Sequence, residues 1–351
     1  MQLTDNDEKD ILNISLNRIT FLSCKEKILL AKNLDSYNTL ALLSIEEISQ
    51  LVNRSFSSRV VWDGAENLKM AKAALHYCRT LGIQLLLYTD SEYPELLRHI
   101  ADPPYLLFCR GNVGILAERS VSVVGTRRLT QAGKKAALNF AYDAVMDGCT
   151  VVSGLANGAD GFAHQGAIDA YYDAEEKGAD TAKLGRTIAV LPSSIDEIVP
   201  AGHKKLAAQI LKTGGCIISE YEPRMGMANW HFVGRNRIIA GLSPATVVVE
   251  APAGSGALIT ADFALDSGRD VMFHEAAFGE LAKQVSEGVQ ATLQAGLSQG
   301  VVSRHKAENT PQKFLEAGAP VITSYSDYCK KLISAPGTEN HPLQQELFDN
   351  N

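Results

Sequence analysis

The sequence predicts an α/β protein with a mainly parallel, doubly wound sheet and a small N-terminal helical domain. Three observations predict it. Beyond Arg119, short β-branched runs alternate with longer helical patterns. Before about Thr80 the apolar residues instead recur at three- and four-residue spacing. A glycine-rich turn, Gly125-Thr126-Arg127, joins the first central strand to a helix, as in a Rossmann-like domain.

The helical part, residues 1–80, is marked by Ile11, Ile14, Leu16 and Ile19, then by Leu40, Leu42, Leu43, Ile48 and Leu51. Ser44 before Glu46-Glu47, and Asp63 before a run of good helix formers, are helix-start signals. Ile83 to Tyr88 reads as a strand. The prolines at 94, 103 and 104 restrict the segments around Tyr93–Leu97 and Tyr105–Phe108 to turn or extended backbone.

The α/β part, residues 81–333, carries strands at Val121–Val124, Thr150–Val152, Thr187–Leu191, Ile217-Ile218 and Ala245–Val249. Their nearly continuous apolar character implies a sheet covered on both faces. Between the first two, Thr130 to Met146 places Ala136, Phe140, Ala144 and Val145 on one stripe with Lys134, Lys135 and Asp143 off it, the pattern of an amphipathic crossover helix. Two stretches break the rhythm and are expected as surface insertions: 171–184, rich in Asp, Glu and Lys, and 279–307, helical and rich in Gln and Ala. The polar tail, 334–351, is expected to be flexible or a short docking peptide, and is too short for a winged-helix domain.

Composition narrows the function classes. At 46% hydrophobic and 21% charged, the 351-residue chain is ordinary for a globular protein. The six cysteines are scattered with no C-x-x-C pair, which fits reduced thiols. No apolar stretch approaches the roughly 20 residues of a spanning helix, and the polar start lacks a secretory h-region, so no membrane association and a cytoplasmic location are expected. The net charge of -7 requires any nucleic-acid site to be a local patch on an acidic body. No Walker A loop, H-E-x-x-H, G-x-S-x-G or Cys/His cluster occurs, so neither a cofactor nor a metal is expected.

Four loops at strand ends carry the candidate chemistry, because such loops present backbone amides and helix N-termini to anions. In the first, Gly125 permits close approach, Thr126 offers a hydroxyl and Arg127 a bidentate guanidinium for phosphate. A tight turn N-capped by Thr130 fits the same residues. The second, Ser153 to Gly161, contains Gly154, Gly158 and Gly161, which fit either a close ligand or helix–sheet packing. Its His164 reads as a hydrogen-bonded structural histidine. The third places Lys204 and Lys205 at a helix start, as phosphate contacts or as a solvated face. The fourth, Trp230 to Gly241, combines aromatics with Arg235, Asn236 and Arg237: either the rings stack bases while arginines hold a backbone, or the aromatics anchor the core and an arginine forms an internal salt bridge.

The ordered segments SVVGTR (122–127), SGLANGADGFAH (153–164), TIAVLPSSIDEIVP (187–200), WHFVGRNRIIAGLS (230–243), VVVEAPAGSGALITADFAL (247–265) and GRDVMF (268–273) resemble the DNA-processing protein A (DprA/Smf) family. The resemblance implies an extended Rossmann-like fold that binds single-stranded DNA without cutting it, forms a homodimer and loads the RecA recombinase in natural transformation. By motif it places Gly125, Thr126 and Arg127 on the family's phosphate loop, with threonine for serine. It places Lys204 or Lys205 on its basic position, and Phe232, Arg235 and Asn236 on its His-Phe-x-x-Arg-Asn segment. Ser255-Gly256 is read on physical grounds as a tight turn feeding backbone amides at the next helix, and Gly154 is counted among the DNA- or phosphate-binding positions.

The chain departs from the family pattern at four places. Thr20 to Cys24 stand where helix-hairpin-helix glycines are expected, His274-Glu275-Ala276 replace a Val-Pro-Gly, the stretch to Ala307 is inserted, and no winged-helix domain is expected. Two alternatives remain beside strand binding. One is a phosphoribohydrolase-like enzyme, whose Pro-Gly-Gly-x-Gly-Thr-x-x-Glu loop corresponds to Pro252–Thr260 here, with Thr260 in place of the catalytic carboxylate. The other is a Rossmann-type sensor of a small nucleotide.

Overall fold

The computed structural model describes residues 4–334. Five helices come first: α1 (Asp5–Asn17), α2 (Cys24–Asn33), α3 (Tyr37–Leu42), α4 (Ile45–Leu51) and α5 (Gly64–Leu81). Each starts at a capping side chain, respectively Thr4, Ser23, Ser36, Ser44 and Asp63, that accepts from the amide three residues on. Such a cap supplies an orphan donor with a partner and contributes about 1 kcal/mol.

The α/β part follows as β1 (Gln84–Leu87), α6 (Glu95–Arg98), β2 (Leu106–Gly111), β3 (Ser120–Val124), α7 (Gln131–Met146), β4 (Thr150–Ser153), α8 (Ala159–Glu176), β5 (Thr187–Val190), α9 (Lys204–Lys212) and β6 (Cys216–Ser219). It continues with α10 (Asn229–Gly241), β7 (Ala245–Val248), α11 (Gly256–Asp266), β8 (Asp270–His274), α12 (Glu280–Ser298), α13 (Arg304–Glu308), α14 (Pro311–Glu316), β9 (Val321–Ile322) and α15 (Tyr325–Ser334). One nine-stranded sheet results, in the order β1-β2-β6-β5-β4-β3-β7-β8-β9. From β6 to β9 the neighbours pair in parallel, while β2 runs antiparallel to both β1 and β6.

Alternation along the buried strands feeds two opposite cores. On β5, Ile188 and Val190 pack with α10 and α11, through Ile238, Ile239, Leu258 and Ala261, while Ala189 faces the other way. On that other face, Phe108, Ala189 and Ile217 share one continuous core with Ile11, Ile14, Leu30, Leu40 and Ile48 of the helical segment. Further along the same sheet, Val121 and Val123 pack with Phe140, Ala144, Ala167, Tyr325 and Tyr328. Helices on both faces of a mainly parallel sheet make this a doubly wound, Rossmann-like fold.

Two sequence expectations shift in detail. Tyr171–Glu176 are not inserted loop but the end of α8, where Ala170 and Ala174 are buried. The stretch from Gly279 forms α12 and α13, and none of the α12 side chains is fully buried. The expected tail lies outside the described residues beyond Ser334.

Candidate nucleic-acid interface

Parallel strands β3, β4, β5 and β7 end on one side of the sheet, and the strand order reverses at β3, which sits between β4 and β7. A crevice at such a switch point is where α/β proteins bind ligands. Here the loops around it are laced together: Thr126 N donates to Glu250 O at 2.6 Å, Val249 N to Val124 O at 2.9 Å, and Ala159 N to Thr126 O at 3.1 Å.

The first loop is therefore packed behind and open in front. Gly125 backs onto Ala159, where a Cβ would approach to 2.6 Å. Thr126 accepts from the amide of Arg128 at 3.2 Å, so part of its hydroxyl capacity holds the turn. Gly158 has φ +84, and a Cβ there would lie 2.6 Å from the Arg127 Cα, so this glycine serves loop–loop contact. Arg127 itself is exposed, with its guanidinium 5.4 Å from the centroid of the Phe232 ring.

The N-terminus of α7 is not available to a phosphate. Thr130 caps it, accepting from Gly133 N at 3.1 Å, and the buried Glu250 carboxylate accepts both the Thr130 amide, at 2.9 Å, and the Thr130 hydroxyl. An internal anion occupies the position that the sequence reading offered to a ligand. The turn thus presents Arg127 outward instead of cradling a group over the helix axis. Sequence reasoning gave Glu250 no role; its signal was an acid placed directly after the buried run Thr246–Val249.

Arg235 and Asn236, expected beside Arg127 as DNA contacts, are corrected by burial. Arg235 is only 4% exposed and donates to the carbonyls of Gly154, at 2.7 Å, and Val190. Burial pulls its pKa down to about 10 while nearby Asp160 acts in the opposite sense, so it remains a cation at neutral pH. Burial raises the Asp160 carboxyl in turn. A Cβ on Gly154 would stand 2.5 Å from the Arg235 Nη1, so this glycine admits an arginine of the chain itself. Asn236 donates to Gly256 O at 3.2 Å. Both side chains tie main-chain carbonyls of the β4–α8 loop, the end of β5 and the start of α11 to α10, which makes them framework for the rim.

The remaining expected residues divide. His164 is fully buried against Thr187 Oγ1 at 2.7 Å, and burial pushes its pKa down to about 3, in keeping with a structural role. Lys204 and Lys205 are exposed in the first turn of α9. The preceding His203 donates from Nδ1 to Leu155 O at 2.8 Å, so a histidine that sequence reasoning passed over fastens the α9 start to the β4–α8 loop. Trp230 is 60% exposed and Phe232 half-buried, whereas buried His231 stacks on Tyr221 with centroids 3.9 Å apart. The aromatic anchor is His231; its two neighbours face outward.

Ser255 begins α11, yet its shielded Oγ makes no hydrogen bond and does not cap the helix. The adjacent Gly256 is exposed with open space around it, and the first amides of a helix have no partner within it. Behind this turn, Ala253 N donates to Ser286 Oγ of α12 at 3.3 Å and Gly254 N to Asn309 O at 2.7 Å, so the inserted α12–α13 segment buttresses the loop. The rim therefore carries exposed Arg127, Arg128, Lys204 and Lys205, while the acids Asp160 and Glu250 lie beneath it. Among the described residues no group of His, Cys, Asp and Glu is arranged to hold a metal, and no helix is long and apolar enough to cross a membrane.

A family model described as DNA recombination-mediator protein A matches residues 84–329. The chain is 32% identical over 263 residues to Protein Smf of Borreliella burgdorferi, an alignment covering 75% of this chain and 78% of that protein. The X-ray structure of DNA processing protein A from Streptococcus pneumoniae matches with a TM-score of 0.65 at 26% identity, covering 94% of this chain and 99% of the other. A structure of DNA processing protein A from Helicobacter pylori, described for its single-stranded DNA binding mode, shares the fold with a TM-score of 0.53 at 22% identity, over 72% of this chain and 96% of that one.

Proposed function

The chain belongs to the DNA recombination-mediator protein A family, the DprA/Smf proteins, and on that premise we propose that it binds single-stranded DNA at the switch-point rim. In this reading it protects incoming DNA and, as a cytoplasmic homodimer, hands the strand to the RecA recombinase in natural transformation. The observation that carries the reading is exposed Arg127 set over the face of Phe232 at 5.4 Å. A guanidinium laid over an aromatic ring offers charge to a phosphate and a planar surface to a base, a pairing that grips a single strand without reading its sequence.

Three further features support it. Lys204 and Lys205 extend the positive edge across the β4–α8 loop, to which His203 fastens them. The exposed, open turn at Gly256, where α11 begins, offers backbone amides as a second phosphate contact. The basic residues of the rim, Arg127, Arg128, Lys204 and Lys205, are exposed while the acids Asp160 and Glu250 are buried, which makes the rim a local basic patch on a chain of net charge -7. A dimer would present two such rims, and effective concentration turns two modest sites into tight binding.

The reading assigns no bond-breaking step. Thr260, at the position of the hydrolase carboxylate, is buried and donates to Gly256 O at 3.2 Å, the hydrogen bond of a helix residue. The test of the function is a titration of oligothymidylate across a salt series, with a pull-down of the host RecA. Binding through several phosphates weakens steeply with salt; affinity that ignores salt contradicts the strand reading, and absence of RecA from the pull-down removes the hand-over.

A further inference from the structure

The segment from Glu220 to Ala228 links the end of β6 to α10, the helix that carries Trp230 and Phe232. It is fastened from the N-terminal helices at three points. Asn17 Nδ2 donates to Glu220 O at 3.3 Å, Arg18 Nη1 pairs with the Glu222 carboxylate, and the Arg224 guanidinium lies 5.0 Å from the Tyr77 ring of α5. Arg224 adopts φ +66, a left-handed conformation rare for residues with a side chain, and its amide donates to Asp196 Oδ1 at 3.0 Å. On the far side, Glu220 accepts from Arg237 of α10 at 2.7 Å.

From these contacts we infer that Arg18 is a positioning residue for the strand-binding surface, acting through Glu222 on the aromatic start of α10. Glu222 is 4% exposed, and its second oxygen has no partner; the Arg18 Nε is likewise shielded and unpaired. Arg18 therefore supplies the charge partner of a buried carboxylate, and its removal leaves an uncompensated anion that must move outward to reach water. The adjacent Tyr221 stacks on His231 with an interplanar angle of 13° and meets Trp230 edge-on at 6.3 Å. A shift of Glu222 thus reaches Trp230 through one ring stack, and through the backbone of α10 it reaches Phe232, next to His231 and beneath Arg127. The helical segment is, in this account, the brace that sets the aromatic edge of the rim.

This inference rests on the strand-binding reading, and the test separates the two. The chain contains two tryptophans, Trp62 and Trp230, so a Trp62→Phe background leaves Trp230 as the sole reporter. In that background, Arg18→Met should alter Trp230 acrylamide quenching without DNA and weaken oligothymidylate binding about tenfold, while circular dichroism confirms folding. Adding Glu222→Gln to Arg18→Met removes the stranded charge and should restore most of the quenching profile and affinity. An Arg18→Met protein with the background Trp230 signal and affinity overturns the inference, as does a folded double variant as impaired as the single one. If the background protein does not bind the oligonucleotide, strand binding falls, and the Trp230 response still decides whether Arg18 sets that helix.

Discussion

The Glu250 carboxylate receives two hydrogen bonds from Thr130, one from its amide at 2.9 Å and one from its hydroxyl, and so closes the N-terminus of α7 from within. The glycine-rich turn is therefore an arginine-presenting device. Glu250→Ala would take the acceptor from two part-buried Thr130 donors, so it should lower unfolding free energy by about 1 kcal/mol or more in urea titration. Glu250→Gln keeps an acceptor and should cost less. Equal stability of the Glu250→Ala protein contradicts the internal-anion assignment.

Arg127 and Arg235 should separate cleanly on mutation. Arg235→Met takes the buried donor away from the carbonyls of Gly154 and Val190, and is expected to cost about 1–3 kcal/mol of stability. Arg127→Ala should leave the melting temperature unchanged and act on binding. Thermal unfolding of both variants decides this; a stable Arg235→Met protein would remove the framework role.

Gly154→Ala places a methyl group 2.5 Å from the Arg235 guanidinium. Overpacking of this kind costs about 1–3 kcal/mol. The expected loss is one of stability, and an undiminished urea midpoint would show that the β4–α8 loop yields freely.

Acid should destabilise the fold through His164. Its folded pKa, about 3, lies below the ordinary 6.5, so the unfolded chain binds more protons between those values. Stability from this group is complete above about pH 6.5 and falls by roughly 1.4 kcal/mol per pH unit below it. Asp160, raised by burial, acts in the opposite sense above the ordinary carboxylate value. A His164→Gln variant should flatten the limb between pH 6 and 4 in a urea-midpoint series against pH; an unchanged limb excludes His164 as its source.

Lys204→Ala and Lys205→Ala are expected to weaken strand binding for all sequences alike. A lysine that contacts phosphate reduces the salt slope of log affinity by about one on removal. A slope equal to wild type in both variants would make these lysines a solvated face.

Much of the fold was legible because strands buried on both faces declare themselves as β-branched runs, and because Ser44, Asp63 and Thr130 are caps by chemistry alone. The two-residue β9 is too short to show a pattern, and β8 opens on an acid, Asp270. At the site, Arg127 was readable from its turn, whereas Glu250 is a long-range partner of Thr130, 120 residues away. Arg235 did carry a signal. His231, Arg235, Ile238 and Leu242 recur at four, three and four residues, so this arginine shares the buried stripe of α10, while Trp230 and Val233 lie on the exposed one.

The central claim, a single-strand rim built on Arg127 and Phe232, is tested most directly by fluorescence anisotropy of a labelled oligothymidylate at moderate salt. Wild-type protein and Arg127→Ala are compared, each challenged with unlabelled duplex and with a mononucleotide. The account predicts binding by wild type that neither competitor displaces, and at least about tenfold weaker binding by Arg127→Ala at unchanged melting temperature. Displacement by the mononucleotide, or wild-type affinity in the Arg127→Ala protein, would contradict it.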